Sequence, residues 1–217
     1  MMRHVSSKDL VTFLKSDCDT NQGFLKVYRP YICPFDDLLI SVPENSQVLD
    51  IGCGSGIFLR MLAEYRKPKS LAGIEINQSL LQIASSSLKR SSNGIPIRLE
   101  AYNGTDLPKW VNQYQYVLLI DVLHHVPQAR QEDFLVRLFD LLRPGSTLII
   151  KDIDADDQFL AMCNQLHDLV FAREVVHAMG AKSLANRLQK MGFQTGGISK
   201  RRMFVYSHYT IMAGKPE

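Results

Sequence analysis

Residues 48–56, with the sequence VLDIGCGSG, constrain the fold of this chain more than any other stretch. An apolar run ends at Asp50, and glycines then occupy every second position from Gly52 to Gly56. Residues 57–62 follow directly with helical apolar spacing, so the stretch predicts a strand, a glycine turn and a helix. Ligands of parallel α/β sheets bind at the carboxyl ends of strands, where glycine lets the backbone approach a ligand closely or adopt a positive φ. The turn is therefore a candidate binding site.

The spacing of the glycines indicates which ligand this turn binds. Dinucleotide-binding folds use G-x-G-x-x-G, but Ile57 occupies the position of that third glycine here. The observed G-x-G-x-G, preceded by Asp50, resembles motif I of the class I S-adenosylmethionine-dependent methyltransferases. A carboxylate suits that cofactor, because its methionine end carries an ammonium group and its sulfur is cationic. The alternative is a glycine turn that only closes a βα unit.

The composition fits one α/β domain with a small appendage. Of the 217 residues, 46% are hydrophobic and 22% are charged, which is typical of a globular protein and not of a disordered or membrane protein. The net charge of +3 permits an acidic partner without indicating one, and a nucleic-acid partner is not expected. The N-terminus lacks the apolar stretch of a signal peptide and no run is long enough to span a membrane, so we expect a cytoplasmic protein. The cysteines form no C-x-x-C pair, so we expect reduced thiols and no metal site.

The predicted second strand ends at another acidic residue, Glu75. A Rossmann-like unit places a carboxylate about 20 residues beyond the glycine loop, where it accepts hydrogen bonds from both hydroxyls of a ribose. In the family that the chain resembles, an aspartate after the third strand accepts a hydrogen bond from the adenine amino group; Asn103 stands at that position here, and Asp106 is the competing candidate. The predicted cofactor-binding residues are Asp50, Gly52, Cys53, Gly54, Gly56, Glu75, Ile76, Asn103, Gly104, Asp121 and Val122.

Residues 116–127, with the sequence YVLLIDVLHHVP, form the second informative stretch. The apolar run before Asp121 predicts a buried central strand with an acid at its carboxyl edge. The run D-V-L-H-H-V resembles motif IV of small-molecule methyltransferases, in which backbone and acid face the methionine end of the cofactor, and not the N/D-P-P-Y/F tetrad of enzymes that bind a flipped base. His124 and His125 are candidate general bases, with a buried structural histidine as the alternative for each. Residues 141–150 resemble the family's motif before the fifth strand, so three motifs occur in the family's order.

Two segments outside these motifs are predicted to border the site. The resemblance implies that residues 1–46 form a helical lid that closes over the cofactor, and the alternative is an ordinary helix packed on the sheet edge. Residues 154–180 are longer than a simple crossover requires and rich in apolar side chains, which predicts a buried helical segment. The resemblance implies that this insertion caps the substrate, with His167 as its candidate catalytic residue. A core or dimer contact is the alternative for this insertion. The residues expected to line the lid are Tyr28, Arg29 and Tyr31.

The resemblance covers nearly the whole chain from Val48 onward. It implies an α/β protein with a three-layer, doubly wound sheet of seven strands, mostly parallel, that ends in an antiparallel C-terminal hairpin. Residues 47–217 are then the S-adenosylmethionine-binding domain, in a monomer or homodimer. The predicted activity is methyl transfer to a small-molecule acceptor, with aromatic, lipid-like and carrier-tethered compounds as the candidate classes.

Methyl transfer from a sulfonium requires in-line positioning and exclusion of water, and a base only if the acceptor must lose a proton. The candidate catalytic residues are therefore His125, His124 and His167. Two alternatives stay open. One is a nucleic-acid or protein methyltransferase that uses the basic turn at residues 200–202, and the other is a catalytically silent, cofactor-binding partner subunit.

Overall fold

The computed structural model describes residues 5–16, 27–91, 94–156, 177–204 and 206–217. One seven-stranded sheet has the strand order β3-β2-β1-β4-β5-β7-β6. Strands β1 to β5 are parallel to their neighbours, and β7 runs antiparallel to both β5 and β6. The predicted fold class is therefore confirmed. The strands are β1 (Gln47–Ile51), β2 (Ser70–Glu75), β3 (Ile97–Ala101), β4 (Tyr116–Ile120), β5 (Thr147–Ile153), β6 (Gln194–Met203) and β7 (Tyr206–Gly214).

Helices connect and cover these strands. They are α1 (Ser7–Ser16), α2 (Phe35–Ser41), α3 (Ile57–Tyr65), α4 (Gln78–Ser91), α5 (Gln128–Leu141) and α6 (Ala181–Lys190), with short 3₁₀ turns at Arg29–Tyr31, Lys109–Gln113 and Leu123–His125. Helix α4 begins where the side chain of Asn77 accepts the N–H groups of Ser79 and Leu80, at 3.0 and 3.2 Å. That side chain satisfies backbone donors that have no partner within the helix. Among the described helices, none has the length and apolar character needed to cross a bilayer.

Some element boundaries differ from those that the sequence predicts. The sequence places the third strand at residues 95–99, whereas β3 is Ile97–Ala101. Pro96 has no N–H to donate to a strand ladder, and β3 therefore starts at the next residue, Ile97. The Pro96 carbonyl still accepts the Leu71 N–H at 3.0 Å. The sequence also starts a helix at Gln131, but α5 begins directly after Pro127, whose carbonyl accepts the Arg130 N–H at 2.7 Å.

Both faces of the sheet are buried. On one face, side chains of α1 to α4 form a core with strand residues such as Val48 and Ile149. On the other face, α5 and α6 pack against Leu49, Ile150 and their neighbours. Leu10 of α1 is fully buried, and burial of a leucine contributes roughly 1.5 to 3 kcal/mol. The first helix of the N-terminal segment is therefore part of the core.

The register of the central strands determines where the predicted motifs meet. Ile51, the last residue of β1, is paired with Ile74 of β2 and with Leu119 of β4. Because these strands are parallel, their carboxyl ends lie at the same edge of the sheet. The turns that follow β1, β2 and β4 therefore lie side by side there.

Candidate functional site

A cavity of about 480 Å³ lies at this edge of the sheet. Of the three residues expected to line the lid, Arg29 lines this cavity. The other two, Tyr28 and Tyr31, stack on each other with ring centroids 6.3 Å apart. Phe35 and Tyr102, which the sequence did not single out for this role, complete two of the walls. The predicted site residues that line the cavity are Asp50, Gly52, Cys53, Gly54, Glu75, Ile76, Asp121, Val122 and His125.

The glycine turn brings backbone close to the cavity. Gly52 has φ +77°, and a Cβ there would lie 2.6 Å from Cγ2 of Val122, so a larger residue would clash. The N–H groups of Gly52 and Cys53 donate to the carbonyl of Ile74 at 2.8 and 3.1 Å. Gly56 serves a different purpose, because a Cβ there would lie only 3.0 Å from Cβ of Ala84 in α4. The first glycines therefore shape the cavity, and the last one allows helix packing.

Glu75 bridges two turns that border the cavity. Its Oε2 accepts the N–H of Gly54 at 2.8 Å, and its Oε1 accepts the N–H of Asn77 at 2.9 Å. The carboxylate is therefore fixed at the junction of the turns after β1 and β2. Each carboxylate oxygen can accept further hydrogen bonds, so Glu75 can still receive donors from a ligand.

Asp50 is a buried carboxylate that requires a partner. Its residue is only 3% exposed, and its Oδ1 has no hydrogen-bond partner within the described part of the chain. Burial raises the pKa of Asp50 to about 8, although the Arg29 charge partly opposes that effect. A ligand with a positively charged donor would satisfy this oxygen and favour the ionised carboxylate. The S-adenosylmethionine ammonium has that chemistry, so the cavity fits the predicted cofactor.

Asp121 contrasts with Asp50, because the protein itself compensates its charge. Its Oδ1 accepts from Nζ of Lys151 at 2.5 Å, and its Oδ2 accepts from Nη2 of Arg29 at 3.0 Å. Burial alone would raise the pKa of Asp121, but the two cations outweigh it and hold the pKa far below its ordinary value. Sequence reasoning missed both partners. The sequence did carry a signal for Lys151, because this lysine directly follows the apolar run at residues 148–150 within a predicted strand.

The neighbouring histidines have different environments. His125 lines the cavity, and its ring centroid lies 4.1 Å from that of His124. His124 is only 5% exposed, and its Nδ1 pairs with Oδ1 of Asp152, whose Oδ2 accepts the His124 backbone N–H at 3.1 Å. Burial would lower the pKa of His124, but the Asp152 carboxylate reverses this and raises it. Of this pair, His125 is thus placed at the cavity, and His124 has a structural ion-pair partner.

Two further predictions concern His167 and the absence of a metal site. His167 and most of the predicted insertion lie outside the described residues. Side-chain atoms of Asp121, His124 and Asp152 approach one another within 4.8 Å, a spacing compatible with metal ligands. Lys151 already neutralises Asp121 and His124 pairs with Asp152, so we assign no metal to this cluster.

The loop after β3 contains the two candidates for adenine. The Oδ1 of Asn103 accepts the N–H groups of Thr105 and Asp106 at 2.9 and 2.8 Å, and its Nδ2 donates to Oδ2 of Asp106 at 2.8 Å. Both candidate side chains are therefore used to hold their own loop. Gly104 instead lines a second cavity of about 380 Å³, which shares Ile76, Tyr102, Val122 and His125 with the first.

Comparison with known proteins agrees with this geometry. Residues 28–195 match the model of a methyltransferase domain. The erythromycin 3''-O-methyltransferase of Saccharopolyspora erythraea is 31% identical over 113 residues, which cover 52% of this chain and 36% of that protein. The demethylmenaquinone methyltransferase of Tropheryma whipplei is 30% identical over 129 residues, which cover 59% of this chain and 51% of that protein. The chain therefore spans about half or less of the length of these curated relatives.

A solved structure supports the fold independently. The magnesium protoporphyrin IX methyltransferase of Synechocystis PCC 6803, with bound S-adenosylhomocysteine, superimposes with a TM-score of 0.70 at 16% identity. The match covers 98% of this chain and 96% of that one. The sheet order, the cavity and the family match over residues 28–195 lead to one conclusion. This protein belongs to the class I S-adenosylmethionine-dependent methyltransferase family.

Proposed function

We propose that this methyltransferase acts on a small-molecule acceptor that meets the methyl group beside His125. The observation that carries the proposal is that His125 lines the same cavity as Asp50 and Glu75. Bound S-adenosylmethionine supplies an electrophilic methyl group and a neutral thioether as leaving group. The protein then needs to hold the acceptor in line and exclude water, which is the largest part of such catalysis.

Oppositely charged residues would orient the cofactor. Asp50 would accept the ammonium group of the methionine end, and Glu75 would accept the ribose hydroxyls. Arg29 lines the same cavity and would pair with the methionine carboxylate. Asp121 keeps its proposed place near the methionine end, but it acts through its contact with Arg29.

The adenine would lie where the two cavities adjoin. Ile76 and Val122 line both cavities, and the Ile76 residue is 58% exposed in the absence of a ligand. An aromatic base between two apolar side chains would cover that exposed surface. Gly104 and Asn103 would border the adenine edge, with Asn103 shaping the loop through its contacts with Asp106.

Within residues 1–46, predicted as the lid, residues 28–41 are fastened to the sheet at several points. The Arg29 guanidinium contacts Asp121, and the Ile32 carbonyl lies 2.8 Å from Nε2 of His208. Arg201 of β6 donates to Asp36 and Asp37 of α2, at 2.8 and 2.7 Å. These contacts support a lid over residues 28–41 that is closed onto the carboxyl edge of the sheet.

His125 would receive a proton if the acceptor is a phenol or a carboxylic acid. His124 would hold the turn that presents His125, because its Asp152 partner fixes the ring. His167 stays a candidate base from the proposed substrate cap at residues 154–180.

The basic residues 200–202 favour a small acceptor over a nucleic acid. The sequence places them in a turn, whereas the structure places them in β6, where they pair with residues 207–209 of β7. Lys200 donates to Asp154 at 2.5 Å, and Arg201 is occupied by two carboxylates. Two of these three cations are thus engaged within the protein, which reduces the positive charge that a phosphate backbone would meet. The named activities of the curated relatives, on erythromycin and demethylmenaquinone, are consistent with a small acceptor.

A transfer assay with methyl-labelled S-adenosylmethionine tests this proposal. The purified protein is incubated with separate pools of phenols, fatty acids, loaded carrier proteins, RNA and unmodified proteins. Label in a small-molecule or carrier pool that His125→Asn greatly reduces supports the proposal. Label in RNA or protein instead would establish the first alternative. Cofactor binding without transfer to any pool would indicate a silent partner subunit.

A further inference from the structure

Lys151 is a buried cation near the carboxyl edge of the sheet, where the cavity lies. It lies in β5, its side chain is 1% exposed, and its Nζ contacts Oδ1 of Asp121. Its backbone carbonyl also accepts the Asp121 N–H at 2.9 Å. Asp121 has φ +55°, in the left-handed region that non-glycine residues rarely adopt. One residue of β5 therefore contacts both the backbone and the side chain of Asp121, whose φ is in the left-handed region.

The second oxygen of Asp121 holds Arg29 by a single contact. Nη2 of Arg29 lies 3.0 Å from Oδ2, while Oδ1 is occupied by Lys151. Arginine and a carboxylate with both oxygens available commonly form a two-point, fork-like pair. The Lys151 ammonium at Oδ1 repels a second guanidinium N–H from that oxygen, because the charges of Lys151 and Arg29 oppose each other. Arg29 therefore keeps its single contact with Oδ2. Among the described residues, its other N–H groups have no acceptor, and Arg29 lines the cavity.

The net charge of Lys151, Asp121 and Arg29 indicates that this group can bind an anionic part of a ligand. Lys151 and Arg29 together carry two positive charges and Asp121 carries one negative charge, so the group keeps an excess positive charge. Asp50, with its unsatisfied Oδ1, lies on the same cavity. The cavity thus presents a cation beside a carboxyl group that a ligand ammonium would favour in its ionised form, which complements the carboxylate and ammonium of an α-amino acid.

We infer that Lys151 is a positioning residue for the amino-acid end of the cofactor: by occupying Oδ1 of Asp121, it leaves Arg29 held through Oδ2 alone and free to bind the carboxylate. This inference rests on the proposed placement of S-adenosylmethionine. Loss of Lys151 would let Arg29 pair with both oxygens of Asp121 and withdraw from the ligand. The adenine and ribose contacts at Ile76 and Glu75 do not involve this group.

Isothermal titration with two related ligands tests the inference. S-adenosylhomocysteine contains the amino-acid end, and 5′-methylthioadenosine has the same adenine, ribose and thioether without it. For Lys151→Met we expect S-adenosylhomocysteine to bind at least about tenfold more weakly, as for loss of a charge-assisted hydrogen bond, and 5′-methylthioadenosine to change less than about twofold. The matched control is Lys215→Met, because Lys215 donates to the carbonyls of Phe139 and Leu142, residues outside both cavities. It should change neither affinity.

Other variants distinguish positioning from general damage. Arg29→Met should give the same selective loss, and Lys151→Met should add less than about twofold to it, since the two substitutions remove one interaction. Should Lys151→Met fail to fold, Asp121→Asn tests the same chain of contacts and should again weaken only S-adenosylhomocysteine. Equal losses for both ligands, independent effects of Lys151→Met and Arg29→Met, or no loss would overturn the inference. If the wild type binds neither ligand, the proposed placement of the cofactor fails instead.

Discussion

The side chain of Asp154 joins two parts of the chain that are far apart in sequence, because its Oδ1 accepts the N–H of Ala181 at 3.2 Å. Its Oδ2 meanwhile pairs with Nζ of Lys200 in β6. The Asp154 side chain is 1% exposed, so these partners satisfy a buried charge. A single carboxylate thus fastens the end of β5 to the start of α6 and to the C-terminal hairpin.

Removal of this carboxylate should destabilise the protein. For Asp154→Ala we expect a loss of about 2 to 3 kcal/mol in the free energy of unfolding, since it leaves buried donors without their acceptor. Asp156→Ala is the control, because the Asp156 side chain is 41% exposed. Urea denaturation of both variants measures the difference. Equal effects of the two substitutions would contradict this role for Asp154.

Asp50 should make the protein less stable as pH rises, which is opposite to a carboxylate held ionised in a buried ion pair. The folded protein holds this proton up to about pH 8, whereas the ordinary pKa is 3.8. The ligand-free wild type should therefore lose stability as pH rises between these values. We expect Asp50→Asn to exceed the wild type by at least about 1 kcal/mol at about pH 9, with little difference near pH 4. Denaturant unfolding at both pH values provides the measurement, and a constant difference would argue against a buried, protonated Asp50.

The His124–Asp152 pair should also be visible in stability. Asp152→Asn leaves the buried imidazole without its carboxylate and should lower the free energy of unfolding by about 3 kcal/mol. The pKa of His124 is raised in the folded state, so the pair stabilises fully below the ordinary histidine pKa and loses its effect as pH rises through the raised value. The loss in Asp152→Asn should therefore be larger at low pH than at high pH. If it is larger at high pH, His124 is not the cationic partner.

Two neighbouring cations of β6, Arg201 and Arg202, should differ in their effect on stability. Arg201 contacts Asp36 and Asp37, so Arg201→Ala should destabilise the protein by about 1 to 2 kcal/mol. Arg202, whose Nε lies 3.4 Å from the Phe204 carbonyl, is the matched control and should change stability by less than about 0.5 kcal/mol when replaced by alanine. Thermal unfolding of both variants makes this comparison. A larger effect of Arg202→Ala would show that the lid is not fastened through Arg201.

The sequence predicted the parts of the site that depend on local pattern. The D-x-G-x-G-x-G turn and the acid at the end of the second strand follow from spacing, and Asp50 and Glu75 do line one cavity. The side-chain contacts between distant segments could not be read in this way. Arg29 and Asp121 are 92 positions apart, and Lys151 and Asp121 are 30 apart. Only the tertiary fold determines that these charges meet.

The same limit explains the histidines and the adenine loop. The sequence offers two adjacent histidines, and they differ because the His124 ring pairs with Asp152 of β5 whereas His125 lines the cavity. Asn103 has the position of the family's aspartate, but local hydrogen bonds with Thr105 and Asp106 occupy its side chain. Local turn chemistry thus competes with ligand binding at a position where the motif alone indicates a ligand contact.

Isothermal titration of S-adenosylmethionine into the wild type and Glu75→Gln tests the central claim most directly. We expect one equivalent to bind the wild type, and Glu75→Gln to weaken binding by about 1 to 3 kcal/mol because a charged acceptor at the ribose is lost. Glu44→Gln, in the exposed turn before β1, should bind as the wild type does. Absence of binding to the folded wild type, or equal affinities for wild type and Glu75→Gln, would contradict the assignment of this cavity to the methyl donor.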